Sequence, residues 1–121
     1  MPTKKTKKAA APAWRPLDGL TREFTSLIDK FTSNSRVSYG GQGFGSRALR
    51  VDGRIFAMLD SRGRFVVKLP RPRADELLSR GQGSLFEPVP GRPMKQWVVV
   101  SGAKVSWLAL AREAYEYVAD L

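Results

Sequence analysis

Between Leu49 and Leu69, LRVDGRIFAMLDSRGRFVVKL, short mostly apolar runs are separated twice by clusters of turn residues, and most of the polar positions are basic. This pattern predicts three antiparallel strands joined by two tight turns. Asp52-Gly53 is a two-residue hairpin signal, because glycine readily takes the positive φ of a primed turn. Asp60-Ser61-Arg62-Gly63 places Asp and Gly at the first and fourth positions of a type I turn. A two-residue loop at the first turn sets Leu49 opposite Phe56 and Arg50 opposite Ile55. A four-residue loop at the second sets Leu59 opposite Arg64, Met58 opposite Phe65 and Phe56 opposite Val67. One face then carries Leu49, Val51, Phe56, Met58, Phe65, Val67 and Leu69, with Arg54 at its edge. This is the expected core face.

The opposite face carries Ala48, Arg50, Ile55, Ala57, Leu59, Arg64, Val66 and Lys68, with no carboxylate from its strands. Three readings are open for it: a solvated face whose basic stems cover apolar neighbours, a surface for an anionic or protein partner, or a face covered by another part of the chain.

A different period flanks this sheet. Leu17, Leu20, Phe24, Leu27, Ile28 and Phe31 recur at three- and four-residue steps and predict an amphipathic helix from about Pro16 to Phe31. Pro70-Arg71-Pro72 breaks the last of the three strands, and a short helix is expected over Arg73 to Arg80, ended by Gly81. Leu85-Phe86 reads as a short strand before a proline-rich loop from Pro88 to Pro93. Met94 to Ser101 reads as a longer strand, and its Trp97-Val98-Val99-Val100 run indicates cover on both faces. Ser106 is the expected N-cap of a last helix whose stripe is Trp107, Leu108, Ala111, Ala114, Tyr115 and Val118. The segment RVSYGGQGFGSRA matches neither dinucleotide nor P-loop spacing and precedes a strand instead of a helix, so it is expected to serve as a turn or bulge at the sheet edge.

Charge changes the picture more than length does. Twenty-one Lys and Arg against eleven Asp and Glu give a formal charge of +10 over 121 residues. Residues 1–15 form an expected flexible basic arm with Lys4, Lys5, Lys7 and Lys8, and residues 16–121 form one domain. The rest of the excess lies in the sheet and its loops. This balance favours polyanionic partners, nucleic acid first. The chain has no Cys and no His, which removes thiolate chemistry, the commonest general base and the commonest metal ligand. Asp75 and Glu76 are adjacent on a helix and so point in different directions. No catalytic, cofactor-binding or metal-binding residues are assigned, and no enzymatic function is expected. No stretch reaches the length of a membrane span, so a soluble, cytoplasmic protein is expected.

Three pieces in order carry a resemblance: Phe44-Gly45-Ser46 leading into LRVDGRIFAML; RFVVKLP followed by a short helix; and LFEP with GRPMKQWVVV before LAREAYEYV. Together, over roughly residues 36–119, they resemble the N-terminal domain of the TfoX/Sxy family and the related MmcQ/YjbR proteins. The resemblance implies a two-layer α+β fold with helices on one side of an antiparallel sheet, in the order helix, strands, helix, strands, helix, like that of type III secretion chaperones. It also implies a DNA-associated role. The residues expected to contact phosphate are Lys4, Lys5, Lys7, Lys8, Arg47, Arg50, Arg54, Arg62, Arg64 and Lys68. About five or six such contacts give a slope of log K against log salt near −5. The alternative is a protein-interaction adaptor or homodimer that uses the apolar surface around Ile55, Leu59 and Val66, without nucleic acid.

Overall fold

A computed structural model of the chain describes residues 21–40, 47–102 and 104–121. The elements are α1 (Arg22–Phe31), β1 (Val37–Tyr39), β2 (Ala48–Val51), β3 (Arg54–Leu59), β4 (Phe65–Lys68), α2 (Arg71–Ser79), β5 (Gly83–Val89), β6 (Arg92–Val100) and α3 (Trp107–Ala119). The six strands form one antiparallel sheet in the order β1-β2-β3-β4-β6-β5. The two-layer α+β class and the helix, strands, helix, strands, helix order are as expected, with Val37–Tyr39 added as a short edge strand. The basic arm, Leu17, Leu20 and Phe44 lie outside the described residues.

α1 and α3 begin where the sequence supplies a capping hydroxyl, and α2 begins at a proline turn. Thr21 keeps extended backbone and its hydroxyl accepts the Phe24 amide at 3.1 Å, at the head of α1; the expected first turns from Pro16 to Leu20 lie outside the described residues. A hydroxyl at this position satisfies an amide that the helix itself leaves unpaired. Ser106 does the same for Ala109 at the head of α3. α2 starts at Arg71 with Pro72 in its first turn and is closed by Gly81 at φ +70°. The Gln82 amide returns to the Leu77 carbonyl, which pairs a carbonyl the helix end would otherwise leave open.

All three helices pack on one side of the sheet. Phe24, Leu27 and Ile28 of α1, Ala74 and Leu77 of α2, and Leu110, Ala111, Ala114 and Val118 of α3 share a buried core with sheet residues Leu49, Val51, Phe56, Ala57, Leu59, Phe65, Val67, Leu69, Val98 and Val100. Phe65 stacks on Trp107 with ring centroids 4.4 Å apart. Tyr115 closes the α1–α3 seam: its hydroxyl accepts from Asn34 Nδ2 at 2.8 Å, and its ring meets Phe56 edge-on.

Two register shifts correct the expected faces. Arg50 does pair with Ile55, but Leu49 pairs with Ala57, leaving Phe56 as an extra residue in β3. At this bulge the consecutive Phe56 and Ala57 both join the helix-side core. The second turn closes as a three-residue loop, Ser61-Arg62-Gly63. Gly63 sits at φ +78° and the Asp60 amide donates to the Arg64 carbonyl at 3.0 Å. Leu59 therefore faces Phe65, and Met58 faces Val66. Ala57 and Leu59 turn toward the helices, and Met58 turns away from them. The first turn is as expected: Asp52 and Gly53 take φ of +52° and +84°.

The opposite face is not an open solvated plane. Ala48, Met58, Val66, Phe86 and Val99 form a second buried cluster, with Ile55 and Trp97 packed against it. The expected proline-rich loop is the turn of the β5–β6 hairpin, and its strands run through Pro88 and Pro93. Register irregularities on either side of Phe86 increase strand twist. β5 is three places from β3 in the sheet, roughly 14 Å on a flat one, yet it supplies Phe86 to the Met58 cluster. At the start of β5, Gly83 lies close against β6: a Cβ there would lie 2.5 Å from Val98 Cγ1 and 3.0 Å from the Val99 carbonyl oxygen.

Candidate nucleic-acid interface

The β3–β4 turn is built around one carboxylate. Asp60 Oδ1 accepts the Arg62 and Arg64 amides, each at 2.9 Å, and Oδ2 accepts Arg64 Nε at 2.7 Å. The Asp60 side chain is 6% exposed and that of Arg64 is 43% exposed. Burial pushes the Asp60 carboxyl up, but the Arg64 amide and guanidinium and the Arg62 amide together hold it below the usual range. The carboxylate is thus spent on the turn. It fixes where the backbone presents Arg62 and Arg64.

Beside this turn a cleft of about 710 Å³ opens on the sheet face away from the helices. Arg47, Arg62 and Arg64 line it together with Ser61, Ser84 and Glu87, over a floor that includes Met58 and Phe86. Arg47 is anchored at the head of β2, where its carbonyl accepts the Leu59 amide at 3.1 Å. Arg64, Val66 and Lys68 follow one another on alternate positions, so the cationic row from the cleft along β4 is roughly 13 Å long. Lys68 is opposite Trp97 on β6, and its Nζ lies 5.6 Å from the centroid of that ring. This arrangement positions the ammonium without cancelling its charge.

The remaining candidates are placed elsewhere. Arg50, on the same face, donates to the Gly40 carbonyl and sits between Ser38 and Ile55 in the sheet. Arg54 pairs with Val51 and donates through Nη1 to the Leu121 carbonyl at 2.8 Å. That puts Arg54 at the helix-side edge, as the sequence indicates, but apart from the cleft. Lys4, Lys5, Lys7 and Lys8 lie outside the described residues. The structure therefore brings together Arg47, Arg62 and Arg64, extends them to Lys68, and separates Arg54 from them.

Charge pairing follows the same division. The ion pairs among the described residues are Arg36–Asp52, Arg64–Asp60, Arg73–Glu76, Arg73–Glu113 and Arg80–Glu76. They lie in turns and helices. Arg36 depresses the Asp52 carboxyl by a side-chain hydrogen bond, and Arg73 does the same to Glu76. Arg47, Arg62 and Lys68 take part in none of these pairs. The six strands contain one carboxylate, Glu87, which accepts the Gly91 amide inside its own hairpin.

Sequence reasoning did not assign Ser84 and Glu87 to this site. Their place in it depends on the twist of β5 across the sheet, and no local pattern in SLFEP encodes that. Among the described residues no helix is long and apolar enough to cross a membrane. Comparison with protein-family models, with curated proteins and with solved structures gave no match.

Proposed function

We propose that this domain is a non-enzymatic DNA-associated module that contacts the phosphate backbone through the cationic row on the outer sheet face, aided by the N-terminal lysines. The observation that carries this reading is the row itself. Arg47, Arg62 and Lys68 form no ion pair among the described residues, and they flank Arg64 on a face whose strands supply a single, internally bonded carboxylate. Lys68, held by a ring contact, and Arg47 and Arg62, outside any ion pair among the described residues, keep their charge available to phosphate. The resemblance of the DGRIFAML and GRPMKQW pieces to the TfoX/Sxy N-terminal domain points the same way. Phosphate contacts fix position without carrying sequence information, so the binding is weakly specific.

The geometry favours this reading over a protein-docking face. Of the three residues expected to form such a face, Leu59 turns toward the helices, Val66 is 0% exposed and only Ile55 stays partly exposed, which leaves little free apolar surface there for a partner. The test is triple charge reversal, Arg62→Glu, Arg64→Glu and Lys68→Glu, assayed by fluorescence anisotropy on a labelled duplex of arbitrary sequence. Loss of binding with an unchanged circular dichroism spectrum is the expected result. A folded variant that binds as the parent does would overturn the proposal.

A further inference from the structure

The cationic row ends in a concavity, and concavity selects among phosphates. A cleft of about 710 Å³ lies in the size range of small-molecule sites. It is large enough to admit a nucleotide unit or a strand end. Its wall is predominantly polar, and Arg47, Arg62 and Arg64 line it together with Ser61 and Ser84. Two carboxylates also line it, but both are engaged. Asp60 holds the turn through three hydrogen bonds, and Glu87 holds Gly91.

From this geometry we infer that the cleft is a site for a terminal phosphate monoester, as found at the end of a nucleic-acid strand or on a free mononucleotide. A monoester carries close to two negative charges at neutral pH and three strongly accepting oxygens. An internal phosphodiester offers one charge and two free oxygens. Three arginines and two serines lining one cleft match the former better, because arginine binds phosphate through paired, fixed donors. The inference rests on the phosphate-binding reading above and deepens it: the row contacts backbone phosphate, and the arginines of the row that line the cleft also take a strand end.

The experiment uses the full chain and three labelled probes: a single strand bearing a 5′-phosphate, the same strand with a 5′-hydroxyl, and a closed duplex hairpin. It adds AMP, inorganic phosphate and adenosine as unlabelled ligands followed by Arg Nε NMR resonances. The inference predicts that the phosphorylated strand binds about tenfold more tightly than the hydroxyl strand, the loss expected for one charge-assisted hydrogen bond. It predicts that Arg47→Ala with Arg62→Ala abolishes that difference while leaving the circular dichroism unchanged. AMP and inorganic phosphate are expected to shift the Arg47, Arg62 and Arg64 resonances, and adenosine is not. Equal binding of the two strands overturns the inference while leaving the backbone reading intact. Shifts with AMP but no binding to any strand or hairpin overturn the backbone reading and keep the cleft assignment. Silence in both assays overturns both.

Discussion

Arg64 holds the carboxylate of Asp60 twice, once through its amide at 2.9 Å and once through Nε at 2.7 Å. The outer face depends on this contact, because the same carboxylate also fixes the Arg62 amide and so sets the turn from which both cations project. Removing it leaves two amides and a guanidinium without their acceptor. Hydrogen bonds to a charged group contribute about 1.5–3 kcal/mol each, and exposure of Arg64 reduces its share. Asp60→Ala is therefore expected to destabilise the domain by about 2 kcal/mol, read as a lowered urea midpoint at unchanged slope.

The same carboxylate gives the stability curve an acid limb. Its folded pKa lies below its unfolded value, near 3.9 for an aspartate. The unfolded chain therefore binds the proton first as pH falls. The stabilisation is fully present above about pH 4 and is lost as pH drops through the folded value. Denaturation followed from pH 6 to pH 2.5 should show stability falling below about pH 4, with a smaller fall in Asp60→Asn. The chain has no histidine, so no side chain with an ordinary pKa between 5 and 8 adds a second limb.

Gly83 is the residue that lets β5 approach β6. Any Cβ at this position meets Val98 Cγ1 at 2.5 Å and the Val99 carbonyl oxygen at 3.0 Å, and the backbone oxygen cannot rotate away. Gly83→Ala is expected to cost about 1–3 kcal/mol by overpacking and to displace the strand that carries Ser84 and Glu87. Thermal unfolding measures the first effect. Weakened AMP binding at a temperature where the variant is folded measures the second.

The β3 bulge makes Leu59 a core residue. Leu59→Ala is predicted to cost about 2–5 kcal/mol, as expected for a buried leucine. On an unbroken ladder the same side chain would lie on the outer face, and its truncation would have little effect on unfolding. The urea midpoint of this variant decides between the two registers.

What could be read along the chain, and what could not, divides by range. The Asp52-Gly53 turn, the Ser106 cap and the stop at Gly81 rest on residues whose backbone preferences act locally, and each is found where it is expected. The two-sided burial indicated by Trp97-Val98-Val99-Val100 also holds. The Phe56 bulge was not legible, because IFAML is apolar at every position and either face accepts any of its side chains. Nor was the five-residue span from Asp60 to Arg64: Asp and Gly three apart fit a four-residue loop and a three-residue loop with a glycine bulge equally well. At the site, the cationic character of β2 to β4 was plain in the sequence. The cleft was not, because it depends on β5 reaching across the sheet from three strands away.

The dependence of DNA affinity on salt tests the central claim most directly. If Arg47, Arg62, Arg64 and Lys68, with at least one lysine of the arm, neutralise phosphates on a duplex, log K should fall linearly with log salt between 50 and 300 mM with a slope of about −4 to −5. A flat dependence across that range, or no binding even at 50 mM, would contradict the account.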